Sequence, residues 1–214
     1  MSDYSTIKTR VLQLLGDPDA VRYDDATLQE SLRQALSAYT RSCPQIRSQV
    51  LTLAADGREH SLAELASPPL FLLEVIHPYL NGSTDTRRSR PPCTLAYVDG
   101  TAWLRFPLES TPQAGEQVRL GYGTSHTLAG LDDAGITSIP ASHESMLAMG
   151  AAVFAALQRV HQTAGSYGIK EAEPNRLREL ASSYLERFNL ALLSLRTLQS
   201  LQGFPAGFKL DEWD

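Results

Sequence analysis

An α+β fold is predicted, with helices at both ends of the chain and β structure between them. Three observations predict it. Apolar residues recur at steps of three and four over residues 7–15, 25–39, 142–160 and 174–201. From about 45 to 136 the pattern changes to short alternating runs. Asp56-Gly57 and Asp99-Gly100 punctuate those runs with turn dipeptides. Neither helical end is large enough to close a core alone. The expected arrangement is a four-helix bundle formed by residues 1–44 and 137–202. Residues 45–136 form a small inserted antiparallel β domain, and residues 203–214 an extended C-terminal arm.

The first helix carries Ile7, Val11, Leu12, Leu14 and Leu15, and Gly16 ends it where a left-handed residue is needed. Asp17-Pro18-Asp19 is a turn. Asp24 or Asp25 then caps a second helix, with Leu28, Leu32, Ala35, Leu36 and Tyr39 on one face and Pro44 as its stop. The pair is a helix–turn–helix in shape only. A DNA-reading helix presents basic and polar groups at its start, and Asp24, Asp25, Gln29 and Glu30 would repel phosphate there.

In the middle, residues 49–53 read as a strand. The apolar run 70–76 reads as a second, although such a run alone does not exclude a helix. Residues 81–92 form a polar loop holding Arg87, Arg88 and Arg90, a local basic cluster that suits nucleic acid, an acidic partner or plain solvent. Residues 94–98 and 101–106 flank Asp99-Gly100 as a hairpin, and 116–122 alternates Val118, Leu120 and Tyr122 against Gln117, Arg119 and Gly121. Four to six strands are enough for a small sandwich or barrel.

Pro140 and Ser142, the latter as cap, open a third helix whose inner face is small: Ala148, Gly150, Ala151, Ala152, Ala155 and Ala156. The last helix repeats Leu177, Leu180, Tyr184, Phe188, Ala191, Leu195 and Leu198, and a second stripe of Ala181, Leu185 and Leu192 widens its apolar face. So wide a face is read two ways, as one large internal core or as a core plus a subunit interface. In the second case Leu185, Leu192, Arg187 and Arg196 are the interface candidates. Past Gly203, the arm places Phe204, Phe208, Leu210 and Trp213 on a segment with two glycines and a proline. These aromatics suit either a partner's pockets or the chain's own surface.

Composition narrows the function. The net charge is −5, so the basic face that grips duplex DNA from outside is missing. Of 19 Lys+Arg only Lys8, Lys170 and Lys209 are lysines; arginine-rich interfaces and a GC-rich genome explain that bias equally. No stretch approaches the roughly 20 apolar residues that span a bilayer. The N-terminus lacks a signal-peptide pattern. Cys43 and Cys93 are expected to be free thiols in a reducing compartment. His143-Glu144 is not a zinc-protease motif, because Leu147 stands where the second histidine belongs. Phosphate loops and nucleophile elbows are absent, and Ser125 beside His126 is adjacency only. Asp132 and Asp133 read as solvated turn residues. No enzyme, metal or cofactor is expected.

The order of the pieces resembles a known family. Leu14-Leu15-Gly16-Asp17, then Tyr23-Asp24-Asp25-Ala26-Thr27-Leu28, then a helix ending near Pro44, resembles the opening of head–tail adaptor (connector) proteins of tailed bacteriophages. Ile139-Pro140, a polar helix start and the small-residue helix after it are similar to a later part of those chains. The resemblance covers both helical ends and is weaker over the β section. It implies a homo-oligomeric ring, typically of twelve copies, docked on the portal protein within the virion and assembled in the host cytoplasm. Tail or nozzle proteins would bind below, and double-stranded DNA would pass through the lumen without specific binding. The arm would reach the portal or a neighbouring subunit. Another head- or tail-completion protein meets the same physical demands. A β-domain binding module or hydrolase, using His77 and residues 121–126, is the reading from a different class.

Overall fold

Helix α1 (Tyr4–Leu15) starts where the Asp3 carboxylate accepts from the amide of Thr6 at 2.9 Å and from its hydroxyl at 2.7 Å. Those bonds hold the Asp3 carboxyl below its usual range, the amide contributing most. The helix ends at Gly16, whose φ of 67° lets the amides of Gly16 and Asp17 turn back to Gln13 and Leu12. Helix α2 (Asp25–Ser42) is capped by Asp24, which accepts from the Thr27 amide at 2.8 Å. The computed structural model describes residues 2–80, 91–164 and 172–201.

Among the described residues there are four α-helices and two antiparallel sheets of three strands each. They divide into two compact units. One comprises the described residues of Met1–Cys43 and His126–Asp214; the other is Pro44–Ser125. Residues 126–136 therefore lie with the helices, not with the β section to which the sequence reading gave them. The reason is hydrogen bonding. The His126 amide donates to the Thr40 hydroxyl at 3.2 Å, and the Tyr4 amide to the Ala129 carbonyl at 2.8 Å.

In the helical unit, α3 (Glu144–Ala164) packs against α1, α2 and α4 (Ala172–Leu201). Its small face, Ala148, Ala151, Ala152, Ala155 and Ala156, is fully buried. One turn of 3-10 helix, Ala141–His143, precedes it after Pro140. Ser142 does not cap this turn, contrary to the sequence reading. Glu144 fills the first position of α3, accepting from the Ser2 hydroxyl at 2.6 Å, the Ser2 amide at 3.1 Å and Arg10 at 3.1 Å. These partners, Ser2 first, keep its buried carboxyl below the usual range. Helix α4 begins two residues before Pro174, which falls in the first turn, where a missing N–H leaves no hydrogen bond unmade.

The other unit holds β1 (Gln45–Thr52), β2 (Glu59–Ser61), β3 (Pro69–Ile76), β4 (Thr94–Val98), β5 (Thr101–Arg105) and β6 (Gln117–Thr124). One sheet runs β1-β6-β3 and the other β2-β5-β4. Asp99 and Gly100, at φ 50° and 75°, make the tight turn between β4 and β5. Strand β1 begins earlier than its apolar alternation shows, because its register runs on to Gln45 opposite Thr124. Both sheets feed one core, with Leu51, Val75, Val118 and Leu120 from the first and Ala102 and Leu104 from the second. The Tyr97 hydroxyl donates to the Pro69 carbonyl and links β4 to β3.

Candidate functional site

The outward side of α4 carries exposed apolar surface, and its orientation is set by one glycine. A Cβ on Gly150 would sit 2.6 Å from the Phe188 ring. Only a glycine lets that ring lie directly on the α3 backbone. With Phe188 so fixed, Leu177, Ala181 and Leu192 also turn into the core. At 100° per residue the opposite side carries Leu190 and Leu193, one turn apart. They are 58% and 60% exposed, and Leu198, further toward the helix end, is 56% exposed.

The four interface candidates separate. Leu192 packs in the unit's own core, because it shares a face with Phe188 four residues earlier. Leu185 is partly exposed at 36%, and Arg187 and Arg196 are exposed. Leu190 and Leu193, exposed on the same helix, are not among those candidates. The signal available was that these two leucines fit neither apolar stripe. Phe204, Phe208, Leu210 and Trp213, like Arg87, Arg88 and Arg90, lie outside the described residues.

His126 and His77, the histidines of the alternative reading, both have hydrogen-bond partners. His126 is buried where the chain leaves the helical unit at Cys43 and returns to it. Its Nε2 lies 2.8 Å from the Cys43 carbonyl, and its Nδ1 lies 3.0 Å from the Ser138 hydroxyl. A carbonyl only accepts, so Nε2 carries the proton and the Ser138 hydroxyl donates to Nδ1. Ser138 also accepts from the Thr127 amide at 2.8 Å. Beside this clasp the Tyr39 ring lies 4.9 Å from the His126 ring, and the Tyr39 hydroxyl meets His143 Nδ1 at 2.7 Å. Burial pushes the Cys43 thiol above its ordinary pKa and the Cys93 thiol up to about 11, so neither is a ready thiolate.

In the β unit, His77 Nε2 contacts Glu116 at 3.0 Å. The His60 and His77 rings both meet Phe106 edge-on. Glu116 also accepts from the Gln113 amide, the main reason its carboxyl is held low. No group of three metal-ligating side chains occurs among the described residues, and no described helix is long and apolar enough to cross a membrane.

The clasp predicts a pH effect. Burial, the leading cause, depresses the His126 pKa in the folded chain below its ordinary value near 6.5. The unfolded chain then binds more protons, so stability is full above about pH 6.5 and declines as pH falls through the folded value. Urea unfolding between about pH 5 and 7 should show this decline, and His126→Gln should flatten it. An equal slope in the variant would exclude His126 as its source.

No protein-family model and no curated protein matches the chain. Among solved structures, it is similar to a chain of the structure described as "Neck of empty GTA particle computed with C6 symmetry". The match has 13% identity and a TM-score of 0.29, and covers 76% of this chain and 78% of that one. A likeness at that level fixes neither fold nor function.

Proposed function

We propose that this chain is a structural head-to-tail adaptor of a tailed bacteriophage, without enzymatic activity. In this reading the four helices form a bundle, and copies assemble into a ring, twelve in the family it resembles. The ring docks on the portal, extends the DNA channel and offers a platform for tail proteins. The observation that carries the reading is that both motif-bearing ends of the chain enter one helical core. Leu15, Tyr23 and Tyr39 from the first end share it with Ile139 and the alanine face of α3 from the second. The exposed leucines of α4 supply apolar surface beyond that core. The acidic balance suits a lumen through which DNA slides.

Mass measurement and negative-stain imaging, with and without the cognate portal, test this. A ring that binds portal is expected; a strict monomer without affinity for portal or virion rejects the reading. Deleting residues 203–214 should leave the circular dichroism spectrum unchanged and abolish attachment. Full attachment by the shortened chain would remove the arm from the portal contact.

A further inference from the structure

We infer that strand β1 is a self-complementary docking edge, at which two copies of this chain join, β1 antiparallel to β1, about a two-fold axis at Ser48. The inference concerns the β unit and goes beyond the adaptor reading. It starts from an imbalance between sheet edges. An edge leaves backbone N–H and C=O groups unpaired, and proteins blunt it with short strands, bulges, prolines or charges. Edge strand β3 begins at Pro69, carries Glu74 and shifts register between Pro69 and Phe71 and again between Leu72 and Glu74. Strand β2 has only three residues, and β4 is tied to β3 through the Tyr97–Pro69 bond. Strand β1 is different. Its eight residues pair with β6 in unbroken register, and its one charge, Arg47, alternates onto the core-facing side with Leu51. Among the described residues no strand pairs with its other side.

The direction of the free groups follows from the bonds at the strand's end. Leu53 donates to the Glu116 carbonyl and accepts from the Gly115 amide, both at 2.8 Å, so its backbone faces β6. On β6 the Gln117 carbonyl accepts from the Tyr79 amide and so turns away from β1. Alternation then aims the backbone of Gln45, Arg47, Gln49 and Leu51 at β6, and that of Ile46, Ser48, Val50 and Thr52 at the open edge. The second set is exposed throughout, Ile46 at 38% and Val50 at 41%. Its own sheet offers it little packing: Gly123 and Gly121 stand opposite Ile46 and Ser48, and Arg119 opposite Val50.

The occupant follows from the order of these residues. A two-fold axis at Ser48 places Ile46 against Val50 of the second copy, Ser48 against Ser48, and Val50 against Ile46. Each is a pair of open-edge residues able to exchange both backbone hydrogen bonds. β-branched side chains meet each other, and hydroxyl meets hydroxyl. Arg47 falls opposite Gln49, so the charge does not meet its own copy. Thr52 would come next, opposite Pro44, which has no N–H, and the ladder stops there. One contact closes both edges, as an isologous interface requires. A ladder this short buries less than the roughly 1,200 Å² of a stable complex, so the association is weak and concentration-dependent.

Disulfide trapping of the full chain tests the contact. In this pairing the two Ser48 Cα atoms lie about 5.5 Å apart, within disulfide reach, whereas the two Val50 positions are about 14 Å apart. Under mild oxidation Ser48→Cys should give at least about tenfold more covalent dimer than Val50→Cys, or than the native chain with Cys43 and Cys93. An equal mixture of Ile46→Cys and Val50→Cys chains should cross-link to each other, identified by intact mass, while neither does so alone. Adding Val50→Lys to Ser48→Cys should cut trapping by about tenfold, by setting a charge on Ile46 of the second copy. These side chains are exposed, so the circular dichroism and thermal midpoint should not change. Equal trapping at 48 and 50 would overturn the inference, as would trapping indifferent to Val50→Lys or no trapping above the native background. None of these readouts depends on portal binding.

Discussion

Phe188→Ala is expected to lower the unfolding free energy by about 3–5 kcal/mol. The ring is almost wholly buried, and it rests on a backbone laid bare by Gly150. Gly150→Ala should destabilise by about 1–3 kcal/mol, because the added methyl forces the ring off α3. The two losses should not add. With the ring gone, alanine at 150 occupies vacant space and costs little, so a double-mutant cycle should give a coupling of about 1 kcal/mol or more. Denaturant unfolding of the four proteins measures it. Strict additivity would show that ring and glycine do not meet as described.

The second large effect is expected at Asp17. This carboxylate is 5% exposed and accepts from three amides, Val21 at 3.2 Å, Arg22 at 2.8 Å and Tyr23 at 3.2 Å. It shapes the turn joining α1 to α2, while its own amide closes the end of α1. Asp17→Ala strands those amides and should destabilise by about 3 kcal/mol. Asp17→Asn, which keeps one acceptor oxygen in place, should recover part of the loss. An alanine variant as stable as the native chain would mean that water replaces the carboxylate without penalty.

Asp17 also shows why part of the fold is legible in the sequence. Gly16 and Asp24 act within four residues of themselves, through backbone conformation and capping. Local chemistry of that kind is written in local sequence. The Asp99-Gly100 hairpin is legible for the same reason. Strand β2 is not: three residues give too little alternation, and its existence rests on pairing with β5, more than forty residues away. The placement of residues 126–136 was equally hidden, since His126 is tied to Thr40 and Cys43 by bonds that span some eighty positions. On α4 the apolar content was plain, but two candidate stripes overlap and further leucines lie outside both. Phe188 against Gly150 selects among them, sending Leu192 inward and leaving Leu190 and Leu193 outside. The aromatic character of the arm is a sequence fact throughout.

The His126 clasp bears on how the middle of the chain can vary. Where the chain departs at Cys43 and re-enters at His126, the two backbones are already bonded within the helical unit. The ends of the intervening loop are therefore fixed in place by contacts that do not involve the loop. Closure entropy grows only with the logarithm of loop length, about 0.6 kcal/mol for each doubling. The number of residues between Cys43 and His126 is thus almost free of thermodynamic constraint from the helices. The helical unit should therefore tolerate a long insertion, a short one or a bare turn at this junction at little cost to its own stability.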